Sequence, residues 1–165
     1  MNKFSFLIIL LFFCILSLSG NNNSVETVVS GKVIKVADGD TITILNSEKK
    51  QIKIRLYGID APEKAQDFGK ISKNYMSELV AGKTIDVTVI NIDRYGRSVG
   101  RIKIDDKEVA EEMLKEGLAW VYTAYCKIPE CEQWKKLETQ AKTAKIGLWS
   151  NPTAQEPWQW RKEHK

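Results

Sequence analysis

The sequence predicts a mainly-β protein of the α+β class, a small five-stranded Greek-key barrel of the OB type carrying three helices. Three observations predict it. Apolar residues alternate with polar ones in five short runs, a 3.6-residue apolar period replaces that alternation between the third run and the fourth, and two further helical patterns follow the fifth. Element order by itself also admits an open α+β sheet.

The first run, Val28 to Val36, is β-branched and broken by Gly31, which predicts a bend or bulge there. Thr41 to Leu45 alternates Ile42 and Ile44 against threonines, and Gln51 to Tyr57 alternates through Ile52, Ile54 and Leu56. The polar stretch 46–50 between them makes this pair a hairpin. After Pro62 comes a helical stripe of Phe68, Ile71, Tyr75 and Leu79, flanked by Met76 and Val80 and ended by Gly82. Ile85, Val87 and Val89 form the fourth strand, Asp93-Arg94-Tyr95-Gly96-Arg97 a turn, and Val99, Ile102 and Ile104 an irregular fifth. Val109, Met113 and Leu114 mark a short helix closed by Gly117. A longer one opens at Pro129-Glu130, turns Trp134, Leu137, Ala141 and Ala144 inward, and closes at Lys142, Lys145 and Gly147, with acid first and base last as the helix dipole favours. Pro152 and Pro157 predict an extended strap for residues 150–165, packed by Trp158 and Trp160. No repeat or linker divides the chain.

Composition bounds the chemistry. The 165 residues are 43% hydrophobic and 28% charged with 10 Gly and 4 Pro, the profile of one ordered domain. The net charge of +4 permits a polyanionic partner without establishing one. A single histidine, His164, lies next to the C-terminal residue. That placement argues against a Ser-His-Asp triad, a Cys-His pair and a His-rich zinc cage. Carboxylates, Arg, Lys, Tyr or Cys must carry any reaction.

Residues 1–19 read as a signal peptide: Lys3, an eleven-residue apolar run from Phe6 to Leu16, then small residues before the polar stretch 20–27. The run is short for a bilayer span, which needs about 20 apolar residues, and an uncleaved N-terminal anchor is the alternative. Bulky Phe13 before Cys14 argues against lipid attachment at that cysteine. Removal of residues 1–19 takes one lysine and no acid, leaving +3. Export implies a secreted, periplasmic or cell-surface protein, and an oxidising compartment permits Cys126 and Cys131 to pair. A local disulfide and two free thiols both remain open for them.

Three segments put charge at strand ends: Asp38-Gly39-Asp40-Thr41, Arg55-Leu56-Tyr57-Gly58-Ile59-Asp60-Ala61-Pro62-Glu63, and Asp93 to Arg97. Each alone has a plain reading, respectively a tight turn, a helix cap and a solvated hairpin. Together they say more. If Ile42 pairs with Ile54 and Ile44 with Ile52, Arg55 lies opposite Thr41 and one residue from Asp40, with Asp60 just beyond the strand end. Strict alternation would put Asp40 and Arg55 on opposite faces, so this register requires a bend near Gly39 or Gly58; otherwise it is wrong by one. Grouped carboxylates are hard oxygen ligands suited to Ca²⁺ or Mg²⁺, and arginine beside such a cation suits a phosphodiester.

The ordered set Asp-Gly-Asp-Thr, Arg-Leu-x-x-Ile-Asp-x-Pro-Glu, Asp-Arg-Tyr-Gly-Arg, Gly117-Leu118-Ala119 and Gly147-Leu148-Trp149 resembles the staphylococcal nuclease-like, or thermonuclease, family over residues 28–149. The resemblance implies an OB-fold endonuclease that depends on Ca²⁺, cleaves DNA and RNA, single strands by preference, and leaves 3′-phosphate ends. A monomer is expected. By the same resemblance Asp40 and Asp60 are calcium ligands together with the backbone carbonyl of Ala61, Glu63 is the proposed general base, Arg55 and Arg97 hold the phosphate, and Tyr95 and Tyr125 lie beside the nucleotide. Ala61 stands where the staphylococcal enzyme has Thr, Thr123 where it has a second Tyr, and the segment from Glu63 to Phe68 is shorter. The competing functional readings are a non-catalytic OB-fold module binding single strands, and an exported structural domain with no nucleic-acid affinity at low salt.

Overall fold

The computed structural model describes residues 27–164. The segment expected to be a signal peptide or anchor, 1–19, and nearly all of the expected polar leader, 20–27, lie outside them. In chain order the elements are β1 (Thr27–Val36), β2 (Thr41–Leu45), β3 (Gln51–Leu56), β4 (Ile59–Asp60), α1 (Gly69–Val80), β5 (Thr84–Ile92), β6 (Ser98–Ile104), β7 (Lys107–Glu108), α2 (Val109–Lys115), β8 (Trp120–Val121), α3 (Glu130–Thr143), a 3₁₀ turn (Gly147–Ser150) and α4 (Pro157–Glu163). Among the described residues four α-helices are therefore present where the sequence predicts three.

Antiparallel pairing runs β3-β2-β1-β5-β6, and a parallel pairing of β3 with β6, Ile54 opposite Ser98, closes the ring. The result is the OB-type barrel. The hairpin register is the expected one, with Ile42 opposite Ile54, Ile44 opposite Ile52 and Arg55 opposite Thr41. Ile42, Ile44, Ile54, Val87 and Ile102 fill the interior at no more than 1% exposure. Burying each such side chain stabilises by about 1.5–3 kcal/mol relative to solvent.

Three expectations need correction. The irregularity of β1 against β2 falls between Val33 and Lys35 rather than at Gly31. Gly31 answers a different need: a Cβ there would stand 2.7 Å from the Leu45 carbonyl oxygen, so glycine lets two strands approach. On α1 the buried face is Gly69, Ser72, Met76 and Val80, while Ile71 is exposed. Ser72 belongs inside because its hydroxyl donates to the Leu118 carbonyl at 2.8 Å, tying the helix to the segment before β8. Trp134, Leu137 and Ala141 of α3 do face inward, but Ala144 lies past the helix end and is exposed.

The strap prediction also fails. Residues 157–163 are helical, with Pro157 in the first turn, where its missing N–H has no helical partner to lose, and Arg161 and Lys162 in the last. Proline at 157 therefore starts a helix instead of preventing one. Among the described residues no helix is long and apolar enough to cross a membrane.

Candidate active site

Asp40 enters the site through a bend at residues 38–40. Glycine at 39 is required because a Cβ would lie 1.9 Å from the Ser72 hydroxyl oxygen and 2.7 Å from the Ala61 Cβ. This bend, with Gly58 at φ +71°, lets Asp40 and Arg55 meet despite their places on the ladder. The Asp40 Oδ2 accepts the Ala61 N–H at 2.6 Å and pairs with Arg55 Nη1 at 2.8 Å, and its Oδ1 accepts the Thr41 hydroxyl at 3.0 Å.

Asp60 ends β4, which pairs with β8 so that Asp60 faces Trp120 across the ladder. Its side chain is 1% exposed. The Oδ1 pairs with Arg55 Nη2 at 2.7 Å, so one guanidinium bridges both aspartates. Glu63 is held by its turn: its N–H donates to Gln66 Oε1 at 3.2 Å, and the Gln66 N–H donates to the Glu63 carbonyl at 2.9 Å.

Burial, the largest influence on it, pushes the Asp40 carboxyl up to about 8; Arg55 and the Ala61 N–H pull the other way, and Asp38 and Asp60 add to the rise. A buried acid strained toward its neutral form beside a second buried acid is the situation a divalent cation relieves, by favouring the ionised form. Asp40, Asp60 and the Ala61 carbonyl are oxygen donors only, which fits Ca²⁺ or Mg²⁺. No cluster of three or more His, Cys, Asp or Glu arranged for a metal occurs among the described residues.

Arg97 approaches from the β5–β6 hairpin. Ser98, its neighbour, pairs with Ile54, the neighbour of Arg55, so barrel closure is what brings the two arginines to one rim. Asp93 accepts the Arg97 backbone N–H at 2.9 Å and its Nε at 2.6 Å. That grip fixes the side chain through Nε and leaves the terminal fork for another partner. Tyr95 and Tyr125 are 69% and 65% exposed, with the Arg97 guanidinium 5.6 Å from the Tyr95 ring centre. Cys126 and Cys131 form a disulfide packed beneath Gly58, whose absent Cβ would meet the Cys126 sulfur at 2.7 Å.

Arg161 escaped sequence reasoning: from α4 it reaches the Asp60 Oδ2 and the Glu63 Oε1, each at 2.7 Å. Trp158, expected to pack on the body, stacks parallel on Tyr122 with ring centres 5.0 Å apart. About a hundred residues separate Arg161 from both carboxylates. No local pattern announces such a contact; the only signal was Pro157 followed by Trp-x-Trp-Arg, readable as a helix start.

A family model described as staphylococcal nuclease homologue matches residues 53–151. The chain belongs to that family. Among the proteins it resembles, an uncharacterized endonuclease of Escherichia coli O157:H7 is 44% identical over 134 residues, 81% of this chain and 85% of that protein. A micrococcal nuclease of Shigella flexneri is 37% identical over 144 residues, 82% of each chain. A probable staphylococcal-like nuclease of Oryza sativa is 47% identical over 114 residues, and there the match spans only 34% of the longer relative. A 38.1 kDa protein of Capnoides sempervirens is likewise matched over 32% of its length.

Proposed function

We propose that this chain is an exported, Ca²⁺-dependent endonuclease that hydrolyses DNA and RNA, single strands by preference, and leaves 3′-phosphate ends. The observation that carries the reading is the Arg55 bridge between Asp40 and Asp60, with Glu63 three residues beyond Asp60 and Arg97 in the β5–β6 turn, next to the residue that pairs with Ile54.

Asp40, Asp60 and the Ala61 carbonyl would hold the cation, which when bound supplies positive charge against a phosphate oxygen. Arg55 and Arg97 grip the remaining phosphate oxygens and stabilise the charge that builds on them as phosphorus becomes five-coordinate. Glu63, one-third exposed, takes a proton from the water that attacks phosphorus in line. The bond from phosphorus to the 5′-oxygen breaks, so phosphate stays on the 3′ side and the departing 5′-oxygen is protonated. Tyr95 and Tyr125, exposed on the flanks, offer stacking faces for bases, which suits strands whose bases are unpaired.

The test is incubation of the purified chain with single- and double-stranded DNA and with RNA, in Ca²⁺, in Mg²⁺ and in excess chelator, followed by end-group analysis. Cleavage in Ca²⁺ alone, with 3′-phosphate products, is expected. Full activity in chelator overturns the mechanism, and retention of the nucleic acid without cleavage favours a binding module.

A further inference from the structure

The C-terminal helix brings a positive charge to the carboxylates the proposed cation would need. The fork of Arg161 spans both: Nη2 sits 2.7 Å from Asp60 Oδ2, and Nη1 sits 2.7 Å from Glu63 Oε1 and 3.2 Å from Asp60 Oδ1. Burial would lower the proton affinity of that guanidinium, and the two carboxylates more than restore it. The contact is half-buried: Asp60 is 1% exposed, while the Arg161 and Glu63 side chains keep 40% and 33%, so the guanidinium shields a buried carboxylate and is itself open to release into solvent.

The helix has its own anchors. Trp158 and Arg161 are three residues apart and share a face of α4, so the helix meets the Tyr122 ring and the carboxylates at once. Gln66, which holds the Glu63 turn, also donates from its side chain to the Gln155 carbonyl at 2.6 Å. The turn that aims Glu63 and the segment that starts α4 are thereby joined. Residues 151–156, between the 3₁₀ turn and α4, form no helix or strand.

A divalent cation takes carboxylate oxygens at about 2.3–2.6 Å. A guanidinium on the same Asp60 oxygens repels it and occupies the same lone pairs. We propose that α4 is a built-in plug: Arg161 is a tethered cation that competes with the divalent metal for Asp60 and holds Glu63, and metal binding releases the helix from both Glu63 and the Tyr122 face. This rests on the metal-site reading given above.

The competition is reciprocal, since whatever factor Arg161 costs the metal the metal costs the helix contact. Calorimetric titration of Ca²⁺ into the full chain and into its Arg161→Gln variant, without substrate, measures the first side. Amide hydrogen exchange over 157–163, with and without Ca²⁺, measures the second. Arg161→Gln should bind Ca²⁺ about tenfold more tightly, within the range of such couplings, and saturating Ca²⁺ should speed exchange across α4 of the unaltered chain by a similar factor. Trp158→Ala, which loosens the other anchor, should tighten Ca²⁺ binding by a smaller factor and serves if Arg161→Gln does not fold. Equal or weaker Ca²⁺ affinity in the variants, or unchanged exchange in α4, overturns the plug and leaves the nuclease reading standing. No Ca²⁺ binding by any of the chains overturns the metal site and the plug together.

Discussion

Arg55 and Asp40 meet at 2.8 Å with both side chains largely buried, 12% and 7% exposed, and the same guanidinium reaches Asp60 at 2.7 Å. Its removal leaves the buried Asp40 without its counter-charge, while Asp60 keeps Arg161. Arg55→Ala is expected to lower metal-free stability by about 3–5 kcal/mol, the cost of breaking a buried pair from one side. Arg55→Lys should recover only part, because an ammonium cannot reproduce the planar fork that spans two acids. Urea unfolding midpoints decide this, and an Arg55→Ala chain as stable as the parent would contradict it.

Arg97 is not engaged by Asp40 or Asp60; its partner is Asp93. Arg97→Ala should cost about 3–4 kcal/mol in kcat/KM, the scale of one lost electrostatic donor, with stability little changed. Asp93→Ala should produce a smaller loss through the freed side chain, and the double variant should be no worse than Arg97→Ala alone. Additive losses in the double variant would mean that Asp93 does not act through Arg97.

The Asp40 carboxyl, raised by burial to about 8, sets a pH dependence of folding. A group whose folded value exceeds its unfolded one contributes stability fully present below the unfolded value, near 4, and lost as pH rises through the folded one. In chelator, stability should therefore fall between about pH 4 and pH 8. Asp40→Asn should flatten that slope, and saturating Ca²⁺ should oppose it. Thermal unfolding across this range, with Asp40→Asn showing the same slope as the parent, would remove Asp40 as the cause.

The Cys126–Cys131 disulfide closes a loop with a sequence separation of only 5. Chain-entropy arithmetic gives a loop of that size about 2 kcal/mol. Its position matters more for function, since the Lys127 N–H just after Cys126 donates to the Tyr57 hydroxyl at 2.8 Å, tying the loop that carries Tyr125 to the end of β3. Reduction, or Cys126→Ala with Cys131→Ala, should lower the unfolding midpoint modestly and raise KM for oligonucleotides more than it lowers kcat. An unaltered KM would mean the loop needs no staple.

Gly39→Ala tests the bend itself. The new methyl meets Ser72 and Ala61, and overpacking of this kind costs about 1–3 kcal/mol. Ser72→Ala removes the nearest obstruction but not the second, and should restore stability only in part. If Gly39→Ala is tolerated without loss, the turn has room that the geometry denies it.

The sequence by itself determined the strand hairpin, the order of the five barrel strands and first three helices, and the carboxylate and arginine segments, because alternation, turn residues and a 3.6 period are local properties of a chain. Ile42 against Ile54 followed from apolar matching alone, and with it the nearness of Arg55 to Thr41. The buried face of α1 was not legible, because Ser72 is inside only by virtue of a carbonyl 46 residues away. The nearness of Arg97 to Arg55 was decided by barrel closure, where β6 pairs in parallel with β3. Arg161 was decided entirely by tertiary structure: a lone arginine near the end of a chain looks like any solvated charge. It joins the site because Pro157 starts a helix, Trp158 finds Tyr122, and two buried or half-buried carboxylates draw the guanidinium in.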